Sequence, residues 1–265
     1  MKPVEFRFAT SKDGNSLEEY EDSSYMRSKD PSKDYGMYWY AVTDGATESA
    51  FAKEWAWKLA KAYCKDKLCH KGVFTHYLQK VQETWKKDID ARENSLPWYA
   101  LEKAHSGAFS SLVGLKIYGQ RTWESIAVGD SCLFQVRQNQ LITRFPIEHS
   151  KEFNNHPFLI SSINSKNSQL VQHTQFFENT WKIGDSFYLM TDALSCWFLE
   201  EYEKGNRPWL ILNDLNNFQK YDSLVNKLRK RQRYEGDFKE KINNLRSNKQ
   251  IRNDDVTLIM ITLER

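Results

Sequence analysis

The chain has 265 residues, 40% of them hydrophobic and 14% aromatic, which is enough to bury a sizeable core and excludes general disorder. Its 38 basic and 35 acidic side chains leave a formal net charge of +3, so charge alone demands no nucleic-acid partner. No run approaches the roughly 20 apolar residues of a membrane helix, and the N-terminal MKPVEFRFATSKDG lacks a signal-peptide apolar core, so a cytoplasmic protein with no membrane partner is expected.

Residues 4–10 and 37–43 read as strands. From about residue 48 to 69 the spacing is helical, with Trp55, Leu59 and Tyr63 on one face, and it is helical again from about 74 to 92. AFSSLVGLKIYG (108–119) and TWESIAVGDSCLFQVR (122–137) read as paired strands, rich in β-branched and aromatic residues. RQNQL then turns into a short strand at 140–145, and the stretch 146–170, with NNHPF and SSINSKNSQ, is polar and loop-like. Residues 180–202 hold a turn at Gly184-Asp185, an apolar strand at 187–190, an aspartate and a helix. The span 203–250 is charged and mostly helical, and NDDVTLIMITL (253–263) is a final strand. No internal repeat and no linker divides the chain, so a single domain over 1–265 is expected, with a β-rich core and at least four helices.

The recurring feature is an acid at a strand end. Asp44 closes YAVTD, Asp192 closes FYLMTD, Asp254 and Asp255 open VTLIMI, and Asp130 interrupts IAVGDSCLF. A further acidic group, EEYEDSS, brings Glu21 and Asp22 between the first strand and Asp44. Any one of these aspartates is explained by helix capping or a turn. Carboxylates brought together without matching Lys or Arg repel one another, however, and a divalent cation relieves the repulsion. Oxygen-only ligands suit Mg²⁺ or Mn²⁺ rather than zinc. Two such ions about 4 Å apart suit phosphate-ester hydrolysis. Gly45, without a Cβ, lets its carbonyl approach a metal closely.

In their order and wording these motifs resemble the metal-dependent protein phosphatase family of the PP2C type. Glu21-Asp22, Asp44-Gly45, VGDS at 128–131, MTDA at 190–193 and DDVT at 254–257 follow the family pattern across nearly the whole chain. TDGATES and IRNDDVTL look like a bacterial branch. The resemblance implies an α+β fold, a four-layer α-β-β-α sandwich with metals at one end. It implies that Asp44 bridges two Mn²⁺ or Mg²⁺ ions, that Asp192 and Asp254 complete the first, and that Glu21 and the Gly45 carbonyl serve the second. Asp22 accompanies Glu21, Asp130 matches an acid near a weaker third ion, and Asp255 is a reserve ligand. A bridging water would attack the phosphorus of a phosphoserine or phosphothreonine protein in line, without a phospho-enzyme. A cognate protein kinase is the implied partner.

The chain departs from the family at several places. Leu17 stands where an arginine usually grips phosphate, Thr47-Glu48 replaces Gly-Gly, and Ala46 replaces a histidine of some members. Ala193 replaces a glycine, and Cys196 an aspartate associated with the third ion. Lys12, in ATSKDGN, either supplies the missing phosphate charge or is a solvated turn lysine. A non-catalytic phosphoprotein-binding or scaffolding module and a phosphatase of small metabolites are the competing functions. Among the other signals, KLRKRQR (227–233) could touch nucleic acid or an acidic partner but reads rather as a solvated helix face, and His149 and His156 flank a polar loop that could approach substrate but read rather as surface residues. Cys64, Cys69 and His70 lie close together, but a structural zinc site wants four ligands in two local pairs, so the cysteines read as ordinary reduced thiols.

Overall fold

The computed structural model describes residues 2–16, 18–30, 36–65, 67–92, 94–214 and 227–264. Leu17 and the side chains of the KLRKRQR run lie outside the described residues. Among the described residues twelve strands follow one another: β1 (Lys2–Thr10), β2 (Ser23–Lys29), β3 (Met37–Thr43), β4 (Phe109–Ser110), β5 (Leu112–Tyr118), β6 (Thr122–Val128), β7 (Cys132–Arg137), β8 (Gln140–Phe145), β9 (Ile160–Ser161), β10 (Gln175–Thr180), β11 (Ser186–Met190) and β12 (Val256–Glu264). Seven α-helices accompany them: α1 (Ala52–Cys64), α2 (Phe74–Asp90), α3 (Trp98–His105), α4 (Leu170–His173), α5 (Asp192–Glu203), α6 (Pro208–Asn213) and α7 (Lys227–Ser247). Two five-stranded antiparallel sheets result, in the orders β1-β12-β11-β7-β8 and β10-β6-β5-β3-β2, and β4 pairs with β9 in a separate two-stranded sheet.

The period-2 alternation of strand side chains builds the layers. In β3, Tyr38, Tyr40 and Val42 enter the core between the sheets, whereas Trp39 and Ala41 face α1 and α2. In β12, Ile259, Ile261 and Leu263 point inward, while Val256, Leu258 and Met260 meet α5, α6 and α7. A strand buried on both faces reads as an unbroken apolar run, which is why YWYAV and VTLIMITL carry no polar alternation. On the helical side, Trp55, Leu59 and Tyr63 of α1 are fully buried, and Trp55 meets Trp85 of α2 edge-to-face at 5.7 Å. Trp57, on the other side of α1, is 42% exposed and carries Lys61 over its ring. The architecture is an α-β-β-α sandwich, the α+β class expected. Among the described residues no helix is long and apolar enough to cross a membrane.

Three local expectations change. The helix expected to start near residue 48 starts at Ala52, because Gly45 still bridges Ser110 and Ala46 N–H still donates to the Phe109 carbonyl. Residues 122–137 are two strands in different sheets. Gly129, at a φ of 92°, turns the chain from one sheet to the other, and a Cβ there would lie 2.8 Å from Ser111 Cβ. The strands β2 and β10 and the helix α3 were not anticipated. Both strands are sheet edges with largely open outer faces, so they lack the apolar signal of a central strand.

Gly114 in β5 is a point of close packing beneath α1. A Cβ there would come within 2.4 Å of the Tyr63 ring. Gly114→Ala should therefore destabilise the fold by about 1–3 kcal/mol, read as a lowered midpoint in urea with an unchanged slope.

Candidate active site

Antiparallel register gathers the acidic segments at one end of the sandwich. Ser23 pairs with Thr43, Val42 with Val113, and Leu112 with Val128 in one sheet. Cys132 pairs with Met190, and Met190 with Leu258, in the other. Asp22, Asp44, Asp130, Asp192 and Asp254 each lie just beyond one of these pairs, so residues far apart in sequence emerge side by side.

Asp44, Gly45, Asp130, Asp192 and Asp254 line one pocket of about 210 Å³. Thr47, Asn154, Asn155 and Arg252 complete its polar wall. The Asp44 backbone is held twice by Ser111, donating its N–H to Ser111 Oγ at 3.1 Å and accepting Ser111 N–H at 2.9 Å. Ser111 Oγ lies 2.6 Å from Ser131 Oγ, so a hydroxyl pair couples the Asp44 turn to the Asp130 crossing. Gly45 admits a close approach, since a Cβ there would stand 2.8 Å from the Glu21 carbonyl and 3.0 Å from Ala52. Asp192 opens α5, where Oδ1 accepts the Ala193 N–H at 2.5 Å. Asp254 Oδ1 accepts the Asp255 N–H at 2.9 Å, and Arg246 Nη2 donates to the Asp254 carbonyl at 2.5 Å.

The remaining sequence candidates take different places. Asp22 sits behind the pocket, 2% exposed, with Oδ2 accepting from Thr257 Oγ1 at 2.9 Å and Oδ1 buried without a hydrogen-bond partner. Asp255 directs both oxygens to backbone N–H groups, of Lys12 at 2.8 Å and of Glu21 at 2.6 Å, and so pins both ends of the loop between β1 and β2. Glu21 lines a neighbouring depression rather than the aspartate pocket, and the two share Thr47. Lys12 lies in that depression too, with Nζ 3.4 Å from Thr47 Oγ1 and 3.9 Å from Glu21 Oε2. The structure does not bring Lys12 into the aspartate pocket. Cys196, on α5, contacts Glu200 and lines a third depression on the far side of Arg252.

Electrostatics separate this cluster from structural acids. Asp185 is also fully buried, but Arg137 clasps it bidentately at 2.9 and 2.7 Å and Gln135 adds a bond at 2.8 Å. In the pocket only Asp192 has a guanidinium partner among the described residues, and that is a single contact from Arg252. Burial first, and then Asp22, Asp192, Asp130 and Asp254, push Asp44 well above the usual carboxylate range. Burial and then Asp255 do the same to Asp22. Asp130 is raised to about 7 by burial and then Asp192. Asp192 is raised by burial despite Arg252, whose Nη2 lies 2.5 Å from Oδ2. Glu21 is raised chiefly by burial as well. Oxygen-only donors and mutual repulsion fit a hard divalent cation such as Mg²⁺ or Mn²⁺.

Sequence reasoning passed over Arg252, Asn154 and Asn155 as site residues. Arg252 adjoins the NDD motif and was available to notice. The polar loop between His149 and His156 could approach substrate, but nothing in the spacing of NNHPF says that Asn154 and Asn155 line the carboxylate pocket. His149 is turned aside, with Nδ1 3.5 Å from Glu203 Oε1, and His156 is exposed.

Comparison with known proteins bears on the family and the fold. The protein phosphatase 2C family model matches residues 28–252, a span that contains Asp44, Asp130, Asp192 and Arg252. No curated protein matches the sequence. Among solved structures, a bacterial serine phosphatase is similar at a TM-score of 0.59 and 12% identity, over 98% of this chain and 97% of that one. The serine/threonine phosphatase Stp1 from Staphylococcus aureus is similar at 0.59 and 11% identity, over 100% and 96% of the two chains. The Mycobacterium tuberculosis serine/threonine phosphatase PstP/Ppp is similar at 0.58 and 13% identity, over 100% of both. These likenesses show the same fold, and the family model covers most of the sequence that builds it. The chain belongs to the protein phosphatase 2C family.

Proposed function

We propose that the chain is a divalent-metal-dependent serine/threonine phosphoprotein phosphatase. The observation that carries this reading is the position of Asp44, surrounded by Asp22, Asp130, Asp192 and Asp254 at one sheet end. Asp44, Asp192 and Asp254 would hold one Mn²⁺ or Mg²⁺ ion, Asp44 with Glu21 and the Gly45 carbonyl a second, and Asp130 a weaker third. Such ions supply an acidified water and neutralise phosphoryl charge. The chain's own part is to hold these carboxylates rigidly, through Ser111, Thr191 and Thr257, so that little reorganises during reaction. The like folds of Stp1 and PstP/Ppp, both serine/threonine phosphatases, support a phosphoprotein substrate, with a cognate protein kinase as the partner that supplies it.

Arg252 is the better phosphate-orienting candidate. Its side chain is 45% exposed in the pocket wall, where one Nη holds Asp192 and the planar fork carries further donors, whereas Lys12 lies in the neighbouring depression. Arg252→Ala should raise KM for p-nitrophenyl phosphate about tenfold with a smaller loss in kcat, Arg252→Lys should recover part of it, and Lys12→Ala should change little. A larger KM effect from Lys12→Ala would restore the lysine.

The same arginine favours a second reading. Arg252 already offsets Asp192, which is what a non-catalytic phosphoprotein-binding module would retain. The deciding experiment is hydrolysis of p-nitrophenyl phosphate and a phosphothreonine peptide with Mn²⁺, Mg²⁺ or EDTA. Metal-dependent turnover abolished by EDTA supports the phosphatase. Turnover in excess EDTA refutes the metal mechanism, and no turnover despite calorimetric Mn²⁺ binding favours the binding module.

A further inference from the structure

Outside the acidic pocket, one cluster brings together sulfur, nitrogen and oxygen donors. Cys69 and His70 lie in the connection between α1 and α2, and Glu124 stands on β6; one ligand atom from each lies within 4.8 Å of the others. Cys69 is buried at 5% exposure, Glu124 is half-buried and His70 is exposed. Glu124 is six positions before Asp130, roughly 15–20 Å away along an extended strand. The cluster is therefore separate from the phosphatase site.

A second observation points at the same place. The Tyr63 hydroxyl, on the inner face of α1, is fully buried and has no hydrogen-bond partner. Its ring is pressed onto Gly114, which fixes where the hydroxyl points. Cys69, Cys64 and Glu124 are the ionisable groups that, after burial itself, bear most on that hydroxyl. A buried hydroxyl without a partner costs on the order of 1–3 kcal/mol, and a bound ion with its water would satisfy it.

The donors are of the right kind. A thiolate, an imidazole and a carboxylate suit Zn²⁺, and three protein ligands leave a fourth position open for water. Tyr118 and Lys116 both contact Glu124 Oε1, so Oε2 is the oxygen an ion would take. Tetrahedral bonds of about 2.0–2.3 Å place donors about 3.3–3.8 Å apart, so a bound ion would draw the three donors somewhat closer together. Cys64 is not a ligand, because its thiol donates to the Tyr25 carbonyl.

We propose that Cys69, His70 and Glu124 form a second metal site, for Zn²⁺ or a similar borderline cation, that clasps the segment after α1 onto β6 with the Tyr63 hydroxyl facing the open position.

The test uses the full chain, reduced, stripped with EDTA and titrated with Co²⁺. One equivalent should give the near-ultraviolet thiolate-to-cobalt charge-transfer band that oxygen ligands cannot produce, and Zn²⁺ should bleach it. Cys69→Ser should abolish the band, and His70→Gln and Glu124→Gln should weaken Co²⁺ binding at least about tenfold. Asp44→Asn should leave it intact, which separates this site from the acidic pocket. Because Cys69 is buried, His70→Gln is the safer variant, and Zn²⁺ should raise Tm in wild type but not in that variant. No charge-transfer band in the wild-type protein, a band that survives Cys69→Ser, or unchanged Co²⁺ affinity in His70→Gln would overturn the proposal.

Discussion

Asp44→Asn is expected to lose phosphoester hydrolysis by roughly a thousandfold or more while the metal-free protein becomes more stable. The two effects have one cause. Asp44 is the carboxylate on which Asp22, Asp192, Asp130 and Asp254 all act, and under the proposed function it would be the one shared between cations. Metal-centred charge stabilisation is worth several kcal/mol in such reactions, and about 4 kcal/mol corresponds to about a thousandfold in rate. Asparagine keeps the shape and the backbone anchors to Ser111 but cannot carry the charge. Without metal, the native Asp44 must either stay charged among the other acids or take up a proton, and asparagine removes that cost. A gain of roughly 1–3 kcal/mol follows, or about 2–4 °C in Tm per kcal/mol for a chain of this size. Calorimetry should show weakened Mn²⁺ binding alongside. An inactive variant that is also less stable in EDTA would indicate misfolding, and activity within tenfold of wild type would remove Asp44 from the centre of the site.

The layers were legible because the central strands say so twice. YWYAV and FYLM are apolar on both faces, which requires cover on both sides of each sheet, and the helical repeat of Trp55, Leu59 and Tyr63 supplies one cover. The edge strands β2 and β10 were hidden by their solvent-facing residues, and the break at Gly129 was hidden inside a run that looks like one long strand. The acidic cluster was legible for a similar reason. An aspartate that follows one strand and an aspartate that precedes its antiparallel neighbour emerge at the same edge, as Asp44 after β3 does beside Asp22 before β2, and Asp192 after β11 beside Asp254 and Asp255 before β12. What spacing could not show is the division of labour among neighbours in sequence. Asp254 and Asp255 are adjacent, yet one faces the pocket and the other holds two backbone amides. Lys12 and Arg252 are both cations near the acids, but only the three-dimensional arrangement puts the guanidinium in the pocket wall. Glu124 was invisible as a companion of Cys69 and His70, because it arrives from a different layer.

The metal-free protein should become less stable as pH rises from about 5.5 to 8, the reverse of ordinary acid denaturation. In the folded state Asp44, Asp22, Asp192 and Glu21 are all raised above their ordinary range, and Asp130 is raised to about 7. A carboxyl whose folded affinity for protons exceeds its unfolded affinity binds more protons when folded, so stability falls as pH increases between the two values. For Asp130 the window runs from 3.8 to about 7, and at about 1.4 kcal/mol per tenfold change in affinity the penalty is on the order of 4 kcal/mol. That figure is a ceiling, since the clustered acids share protons and titrate together. Divalent cations compete with those protons, so saturating Mn²⁺ should raise Tm most at pH 8 and flatten the profile. Asp130→Asn should make the EDTA profile shallower without metal. The measurement is Tm against pH in EDTA and in Mn²⁺. A metal-free Tm that rises from pH 5.5 to 8 would mean that the carboxylates are not crowded in the folded protein. The cluster would then lack the repulsion that makes a divalent cation its natural occupant.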